Sequence, residues 1–492
     1  MGPVPDLDET ATACARRLRE ADQVLLASHI DADGLTSAAV ASLALERAEI
    51  PFEVVFKKQL DETEIASIAA RPFETVLFTD FGSGQLDVIS EHEAAGNFQP
   101  VIADHHQPAV VDGQSPSASG TGSHAAETEF HLNPLLVGIN GASELSGAGA
   151  SYVLARALAD VAETEPPAAN RDLAALAVVG AVGDMQAVDG ELVGANAGIV
   201  DEGVEAGVLD EGTDLTLYGK QTRPLPKLLE YATEVPIPGI SNDEAGAIRF
   251  LESLGLDLKR AGEWRTWADL SDDERQTVAS ALVQRAVERG VPADKIQTLI
   301  GTTYTLTDEP VGTELRDASE FSTLLNATAR YERADVGLAV CRGDRDGALD
   351  RAQTLLANHR RNLSEGLTLV QEQGVTQEDN VQWFDAGEAI RETIVGIVAG
   401  MALGTAGVDP DKPIFAFASK NDEETKVSAR GTGPLVGRGL DLSAVMREAS
   451  RSVGGDGGGH DIAAGATVPA GEEQAFVDAA DAVVADQLGS KS

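Results

Sequence analysis

The sequence predicts an α/β protein: an N-terminal lobe on a parallel sheet, a mostly helical intermediate domain, and a smaller C-terminal α/β lobe reached through a long helix. Three observations predict it. Short apolar runs alternate with helical stretches over the first ~200 residues. The pattern then becomes helical by periodicity, and α/β alternation returns near the C-terminus. The boundaries expected are 1–204, 205–332, 333–375 and 376–492. At roughly 100–200 residues per domain, 492 residues suit two to four domains.

In chain order, residues 24–28 (VLLAS) read as a buried strand and residues 36–48 as an Ala/Leu-rich helix. Residues 51–57, 75–79 and 100–103 supply further strands. Residues 109–129 are rich in Ser, Gly, Ala and Thr and read as a mobile loop. Helices are expected over 146–160 and 173–182, the latter apolar throughout. The intermediate domain shows helical periodicity at 244–254 and 272–289. Residues 334–341 (ADVGLAVC) read as a strand and 350–372 as a long polar helix. The C-terminal lobe then reads as helix 389–403, strands 414–418 and 426–430, helix 443–452 and strand 462–468.

Composition limits the function. Lys and Arg total 37 against 80 Asp and Glu, a net charge of −43 spread along the chain, with 10 Lys among the 37. So acidic a surface suits high intracellular salt, which screens self-repulsion, and a halophilic source is expected. An acidic face for a basic protein partner is the other reading. The charge speaks against a broad nucleic-acid-binding surface but leaves room for a small basic groove. The two cysteines, Cys14 and Cys341, cannot build a disulfide framework or a four-thiolate zinc site. No run of about 18 apolar residues marks a membrane span, and MGPVPDLDET lacks the pattern of a signal peptide. A reducing cytoplasm is the expected compartment.

The chemistry lies in the Asp and His residues. His29, Asp31 and Asp33 follow the first strand in HIDADG; Asp80 ends TVLFTD; Asp104, His105 and His106 end PVIADHH; Asp184 ends AALAVVGAVGD. Strand ends of an open parallel sheet converge on the edge where ligands bind. If HIDADG is extended, His29, Asp31 and Asp33 point the same way, and Gly34 lets the backbone approach closely. A single strand-end Asp is usually a helix cap, and a single His is usually surface or satisfied core. The same placement repeated on four elements is not accounted for in that way. Crowded carboxylates raise one another's pKa, and a metal pair relieves this. Mixed carboxylate and imidazole donors favour Mn²⁺ or Mg²⁺ over zinc. Two ions roughly 3.5–4 Å apart could bridge a phosphate and activate water. His92, His124, His131 and His359 lack such context and read as structural or surface.

HIDADG, TVLFTDFG, IADHH and GAVGDMQ resemble the four motifs of the DHH phosphoesterase superfamily. The resemblance implies hydrolysis of phosphoester or phosphoanhydride bonds with two metals, usually Mn²⁺. It implies that His29, Asp31 and Asp80 hold one metal, and that Asp33, Asp80, His105 and Asp184 hold the other, with Asp80 bridging. His106 would contact the scissile phosphate and Asp104 would support the histidines.

The segments VSARGTGP and SVGGDGGGH resemble the DHH-associated C-terminal domain. A glycine-rich segment alone is most often a turn. Beside the four motifs, Ser428, Arg430, Gly457, Gly458, Gly459 and His460 become substrate-binding candidates, with Arg430 able to clamp a phosphate. ELRDASEFSTLLNATAR resembles the segment that RecJ-like nucleases place between their lobes; Asn326, Ala327 and Arg330 fit its pattern, and Ala329 stands where the pattern has Gly. Arg330 is a further phosphate-contact candidate; the bland alternative is a surface ion pair.

The resemblance to archaeal RecJ-type proteins implies a metal-dependent exonuclease on single-stranded DNA or RNA, acting in replication or repair. It also implies the GINS replication complex as a partner. The alternatives are a phosphodiesterase for short oligonucleotides or cyclic dinucleotides, a family II pyrophosphatase, and a GINS-bound scaffold. The Lys/Arg-rich pyrophosphate pocket of the pyrophosphatase is not visible here. Aromatic residues are 4%, so grip would come from Arg and backbone amides more than from base stacking.

Overall fold

The computed structural model describes residues 2–109, 128–161, 167–232, 235–405 and 407–489. Most of the Ser/Gly-rich loop expected over 109–129, His124 included, lies outside the described residues. The chain folds as two units, Met1–Gln353 and Thr354–Ser492. No helix among the described residues is long and apolar enough to cross a membrane.

The first unit opens with helix α1 (Asp8–Arg19), strand β1 (Val24–His29), helix α2 (Ala32–Arg47) and strand β2 (Phe52–Lys57). Helix α3 (Glu62–Ala69), strand β3 (Thr75–Thr79), helix α4 (Leu86–Ala94), strand β4 (Gln99–Ala103) and the short β5 (His131–Leu132) follow. The five strands form one parallel sheet, β2-β1-β3-β4-β5. Its central strands are apolar and buried because helices cover both faces. Register aligns Ser28 with Thr79 and Thr79 with Ala103, so the residues after β1, β3 and β4 leave the sheet at one edge. Behind the sheet pack helices α5 (Gly147–Asp160), α6 (Ala174–Gly183) and α7 (Ala195–Glu205). Both α5 and α6 are almost wholly buried, as their small and apolar residues require.

The intermediate residues are mostly helical, with an antiparallel ribbon that the sequence does not announce. Helices α8 (Leu225–Glu230), α9 (Glu244–Glu252), α10 (Asp272–Glu288) and α11 (Ala293–Gln297) are present. They are joined by a hairpin of β7 (Lys259–Arg260) and β8 (Glu263–Trp264), and framed by a seven-residue antiparallel ribbon of β6 (Leu209–Leu215) and β9 (Ile300–Leu306). The sequence hides β6 because LDEGTDL is polar and exposed along its middle and shows no alternation. Leu225, Phe250, Leu251, Trp267 and Leu282 belong to a separate core in this region.

After helix α12 (Ala318–Arg330), residues Ala334–Cys341 form helix α13, not the expected strand. Length and apolarity cannot separate a buried strand from a buried helix turn. Burial of Ala334, Gly337 and Cys341 follows helical spacing, and a Cβ on Gly337 would sit 2.7 Å from Leu35 of α2, so this face packs on a neighbouring helix. Helix α14 (Gly347–Gln373) carries the chain from the first unit into the second.

The second unit contains a six-stranded mixed sheet ordered β10-β11-β12-β13-β15-β14. Its elements are β10 (Thr376–Gln377), β11 (Gln382–Asp385), α15 (Val395–Ala402), β12 (Ile414–Ser419), β13 (Glu424–Arg430), α16 (Gly433–Gly437), α17 (Leu442–Ser452), β14 (Asp456–Gly459), β15 (Ala463–Pro469) and α18 (Glu473–Gly489). Helix α15 is shorter than the expected 389–403, because the polar Arg391, Glu392 and Thr393 precede it in a non-helical segment and the helix is confined to the apolar Val395–Ala402. The glycine cluster forms the edge strand β14. Main-chain pairing with β15 needs no side chain, and a Cβ on Gly457 would approach the Met446 carbonyl of α17 to 2.9 Å.

Candidate metal centre

The edge of the parallel sheet gathers the carboxylates and imidazoles. HIDADG is not extended throughout. Asp31 caps α2, accepting the Gly34 N–H at 2.9 Å, and Asp33 lies in the first helical turn. A Cβ on Gly34 would fall 2.2 Å from the His29 carbonyl, so the tight turn from β1 into α2 requires glycine. Asp80 adopts a left-handed backbone (φ 59°) while its N–H still bonds the Ala103 carbonyl at 3.1 Å. That conformation is uncommon outside glycine and concentrates at functional sites. Asp184 follows α6, where left-handed Met185 closes the helix.

Asp80 stands between two histidines. Its Oδ2 lies 3.5 Å from His29 Nδ1, and its Oδ1 lies 3.3 Å from His105 Nε2. His29 Nδ1 also meets Asp31 Oδ2 at 3.1 Å. His105 Nε2 lies 3.7 Å from Asp33 Oδ2 and 3.8 Å from Asp184 Oδ2. Thus His29, Asp31 and Asp80 form one donor group, while Asp33, His105 and Asp184 form a second; Asp80 also groups with Asp104, His105 and His106.

Surrounding bonds fix these side chains. Asp33 accepts the Gly147 N–H at 2.7 Å and the Ala148 N–H at 2.9 Å from the N-terminus of α5, whose dipole favours an anion. Ser146 caps that helix. A Cβ on Gly180 would meet Asp33 Oδ1 at 2.5 Å, so α6 also approaches too closely for a side chain there. His105 Nδ1 donates to the Gly141 carbonyl at 2.6 Å, which assigns its tautomer and turns Nε2 toward the carboxylates. Gln186 donates to both Gly141 O (2.8 Å) and Asp184 (2.9 Å) and is itself held by Asn196. Asp104 accepts N–H bonds from Ser83, His105 and His106, and its Oδ1 lies 2.8 Å from His106 Nδ1. His106 remains half exposed.

The electrostatics follow from crowding. Burial raises the Asp33 carboxyl well above its ordinary value, reinforced by Asp80 and Asp184. Burial likewise raises Asp184. Burial opposes the Asp80 charge, but His105 and His29 hold that carboxyl well below the usual range. Burial also pulls both imidazoles down; the nearby carboxylates outweigh it and push His29 and His105 up to about 11. The site therefore favours positive charge among its carboxylates. Metal ions fit the same donors. Asp80 Oδ1 is buried with no hydrogen-bond partner, and carboxylates with imidazoles are the donor set of Mn²⁺ and Mg²⁺.

Residues 217–300 match the DHH-CID domain and residues 379–486 the DHHA1 domain. An uncharacterized protein, MJ0831, of Methanocaldococcus jannaschii is 29% identical over 466 residues, covering 94% of this chain and 93% of the relative. The solved structure of exonuclease RecJ bound to manganese superposes with a TM-score of 0.60 at 17% identity, covering 100% of this chain and 98% of that one. RecJ of Thermus thermophilus in complex with Mn²⁺ gives 0.59 at 18% identity over 98% of this chain, which spans 55% of that protein. CDC45 of Entamoeba histolytica gives 0.63 at 10% identity, covering 98% and 99%. These matches support the DHH superfamily, with a RecJ-like fold. Two DHH-type domain models thus match within the chain, and the superpositions show a RecJ-like fold.

In this RecJ-like chain, α12 reaches the metal centre. Asn326 accepts the Ala32 N–H at 3.1 Å, holding the backbone between Asp31 and Asp33. Partial burial draws the Arg330 guanidinium down and Asp31 holds it up, so the two are within electrostatic reach. Ala329 is buried inside the helix, where no glycine conformation is required.

In the DHHA1 domain, Ser428 and Arg430 share one face of β13. A Cβ on Gly396 of α15 would lie 3.0 Å from Ser428 Oγ and 2.7 Å from Arg430 Nη2. Gly458 joins that face through the pairing Ser428–Gly465–Gly458. Gly457 points oppositely, into α17, while Gly459 has φ 143°. His460 is exposed, its N–H bonded to the Ala463 carbonyl. Outside both groups, His131 is a satisfied core residue bonded to Ser83 Oγ, His92 pairs with Asn97, and His359 is buried in α14. Sequence reasoning missed Gly141, Gly147 and Gln186; only Gln186 stood in a quoted motif.

Proposed function

We propose that this chain is a two-metal exonuclease that hydrolyses phosphodiester bonds of single-stranded DNA or RNA, with Mn²⁺ as the working ion. The observation that carries the reading is Asp80, whose two oxygens face different histidines. His29, Asp31 and Asp80 would hold one ion, and Asp33, Asp80, His105 and Asp184 the other. Bound ions supply activation of water and neutralisation of charge at phosphorus. The chain supplies the rest. The Gly141 carbonyl keeps the His105 proton on Nδ1, leaving Nε2 as a donor atom. Asp104 keeps a proton on His106 Nδ1, leaving Nε2 of this half-exposed ring able to protonate and bind a phosphate oxygen. Arg330, Ser428, Arg430 and Gly458 would take strand phosphates without reading bases, giving weak sequence preference. A role in replication or repair, in the cytoplasm, completes this reading; both cysteines are free and buried, in keeping with a reducing compartment.

The test uses 5′- and 3′-labelled single-stranded DNA and RNA in high salt with Mn²⁺. Stepwise shortening from one end is expected. Full retention of every strand, together with no Mn²⁺ uptake, refutes the reading. Rapid turnover of dinucleotides alone would move it to a short-oligonucleotide or cyclic-dinucleotide phosphodiesterase.

The CDC45 likeness favours a second reading, a replication scaffold that binds GINS. The complete donor set speaks against a purely structural role. Capture of GINS with no Mn²⁺-dependent hydrolysis would favour it.

A further inference from the structure

Lys426 is an unusual cation in this chain. The sequence has 10 Lys and a net charge of −43, so an ammonium has no shortage of carboxylates to pair with. Lys426 is half-buried on β13, yet among the described residues its ammonium makes no hydrogen bond and no ion pair. Burial lowers its pKa; Glu392 favours its charge, while Lys420 and Arg430 oppose it. Leaving a buried charge unmatched costs free energy unless an anion arrives to match it.

Its neighbours show where that anion would sit. Lys426, Ser428 and Arg430 alternate along β13, so all three side chains share a face. A Cβ on Gly465 of β15 would lie 3.3 Å from Lys426 Nζ, so the ammonium lies over that glycine. Gly465 pairs with Ser428 on one side and Gly458 on the other. A Cβ on Gly458 would meet nothing within 4 Å, so this side of the sheet edge is open. The opposite side is closed, since Gly457 abuts α17. An ammonium, a hydroxyl and a guanidinium thus border Gly465 and Gly458, with α15 over Ser428 and Arg430 and open space above Gly458.

We infer that Lys426 is a further substrate-binding residue, which with Arg430 and Ser428 grips a phosphate of the nucleic-acid strand over Gly458 and Gly465. This rests on the nuclease reading and adds a second cation to its C-terminal phosphate site. Arg430 supplies a planar fork and Lys426 a movable point charge, so neighbouring phosphates of a flexible strand could be held without fixing the bases.

The test measures binding of the full chain to a labelled oligothymidylate in EDTA, across the KCl range where circular dichroism reports an intact fold. Lys426→Met is expected to weaken binding about tenfold and to reduce the slope of log K against log salt by about 0.7, the share of one phosphate contact on a single strand. Lys426→Arg should restore most of both. Lys426→Met should also raise Tm by a few degrees, about the effect of relieving one unmatched buried charge. An unchanged slope with unchanged affinity overturns the assignment. So does a drop in Tm accompanied by lost binding in both variants, which would mark Lys426 as structural. Since no metal is present, failure of Mn²⁺-dependent hydrolysis in the wild type would count against the nuclease reading without altering this outcome.

Discussion

Gly147 lies so close to Asp80 that a Cβ on it would fall 2.4 Å from Oδ1, the oxygen that faces His105. Its own N–H bonds Asp33. One glycine at the start of α5 thereby sets the spacing of two metal-site carboxylates. Gly147→Ala should leave the helix intact and force Asp80 aside. The expected result is about a 10–100-fold loss of Mn²⁺ affinity, typical of disturbed ligand support. Isothermal titration with Mn²⁺ checks this, and wild-type affinity would show that Asp80 is not held in place there.

Asp80→Ala removes the carboxylate that stands between His29 of one donor group and His105 of the other. Hydrolysis should vanish while far-UV circular dichroism stays native. Retention of a tenth of wild-type activity at saturating Mn²⁺ would be incompatible with a bridging role.

Asp104 raises the His106 pKa, first through their hydrogen bond and then through its charge, against burial. If protonated His106 binds the phosphate, activity falls as pH rises through that pKa. Asp104→Asn removes the charge, so this fall should move to lower pH, with about a 10–100-fold loss in kcat/KM. A pH–rate profile measured with Mn²⁺ reads both effects. An unshifted alkaline limb would remove His106 from the chemistry.

Glu320 is buried in α12 and accepts bonds from Gln221 N–H and Thr222 Oγ1–H, each at 2.7 Å. Burial raises its carboxyl to about 7. The folded pKa is above the unfolded value of about 4.3, so the protonated form is favoured by folding. Its contribution to stability should be fully present below about 4.3 and be lost as pH rises through 7. Urea unfolding of the wild type and Glu320→Gln between pH 5 and 8.5 checks this. The variant should lose less stability across that range; parallel curves would rule the group out.

A net charge of −43 makes the folded state self-repelling in dilute buffer. Tm should climb steeply from low to molar KCl and then level as screening completes. Equal stability in dilute buffer and molar KCl would end the halophilic reading.

Much of the candidate site was legible because its Asp and His residues sit at strand ends. A buried parallel strand must be apolar, so the first Asp or His after VLLAS, TVLFT or PVIA marks the sheet edge without any coordinates. Asp184 followed the same logic at a helix end. The assignments that failed depended on partners elsewhere in the chain. ADVGLAVC is apolar enough for strand or helix, and packing of Gly337 against Leu35 decides for helix. LDEGTDL carries no strand pattern, and pairing with Ile300–Leu306 makes it one.

From the sequence alone came the candidate ligands, the sheet that presents them and the acidic character of the chain, since each is written in local residue order. Tertiary structure alone decided how those ligands are held. The amides of Gly147 and Ala148, the carbonyl of Gly141, the tether from Asn326 and the unmatched ammonium of Lys426 arise from segments distant in sequence. Such contacts are set by how closely two backbones approach, which small residues permit but their spacing does not announce.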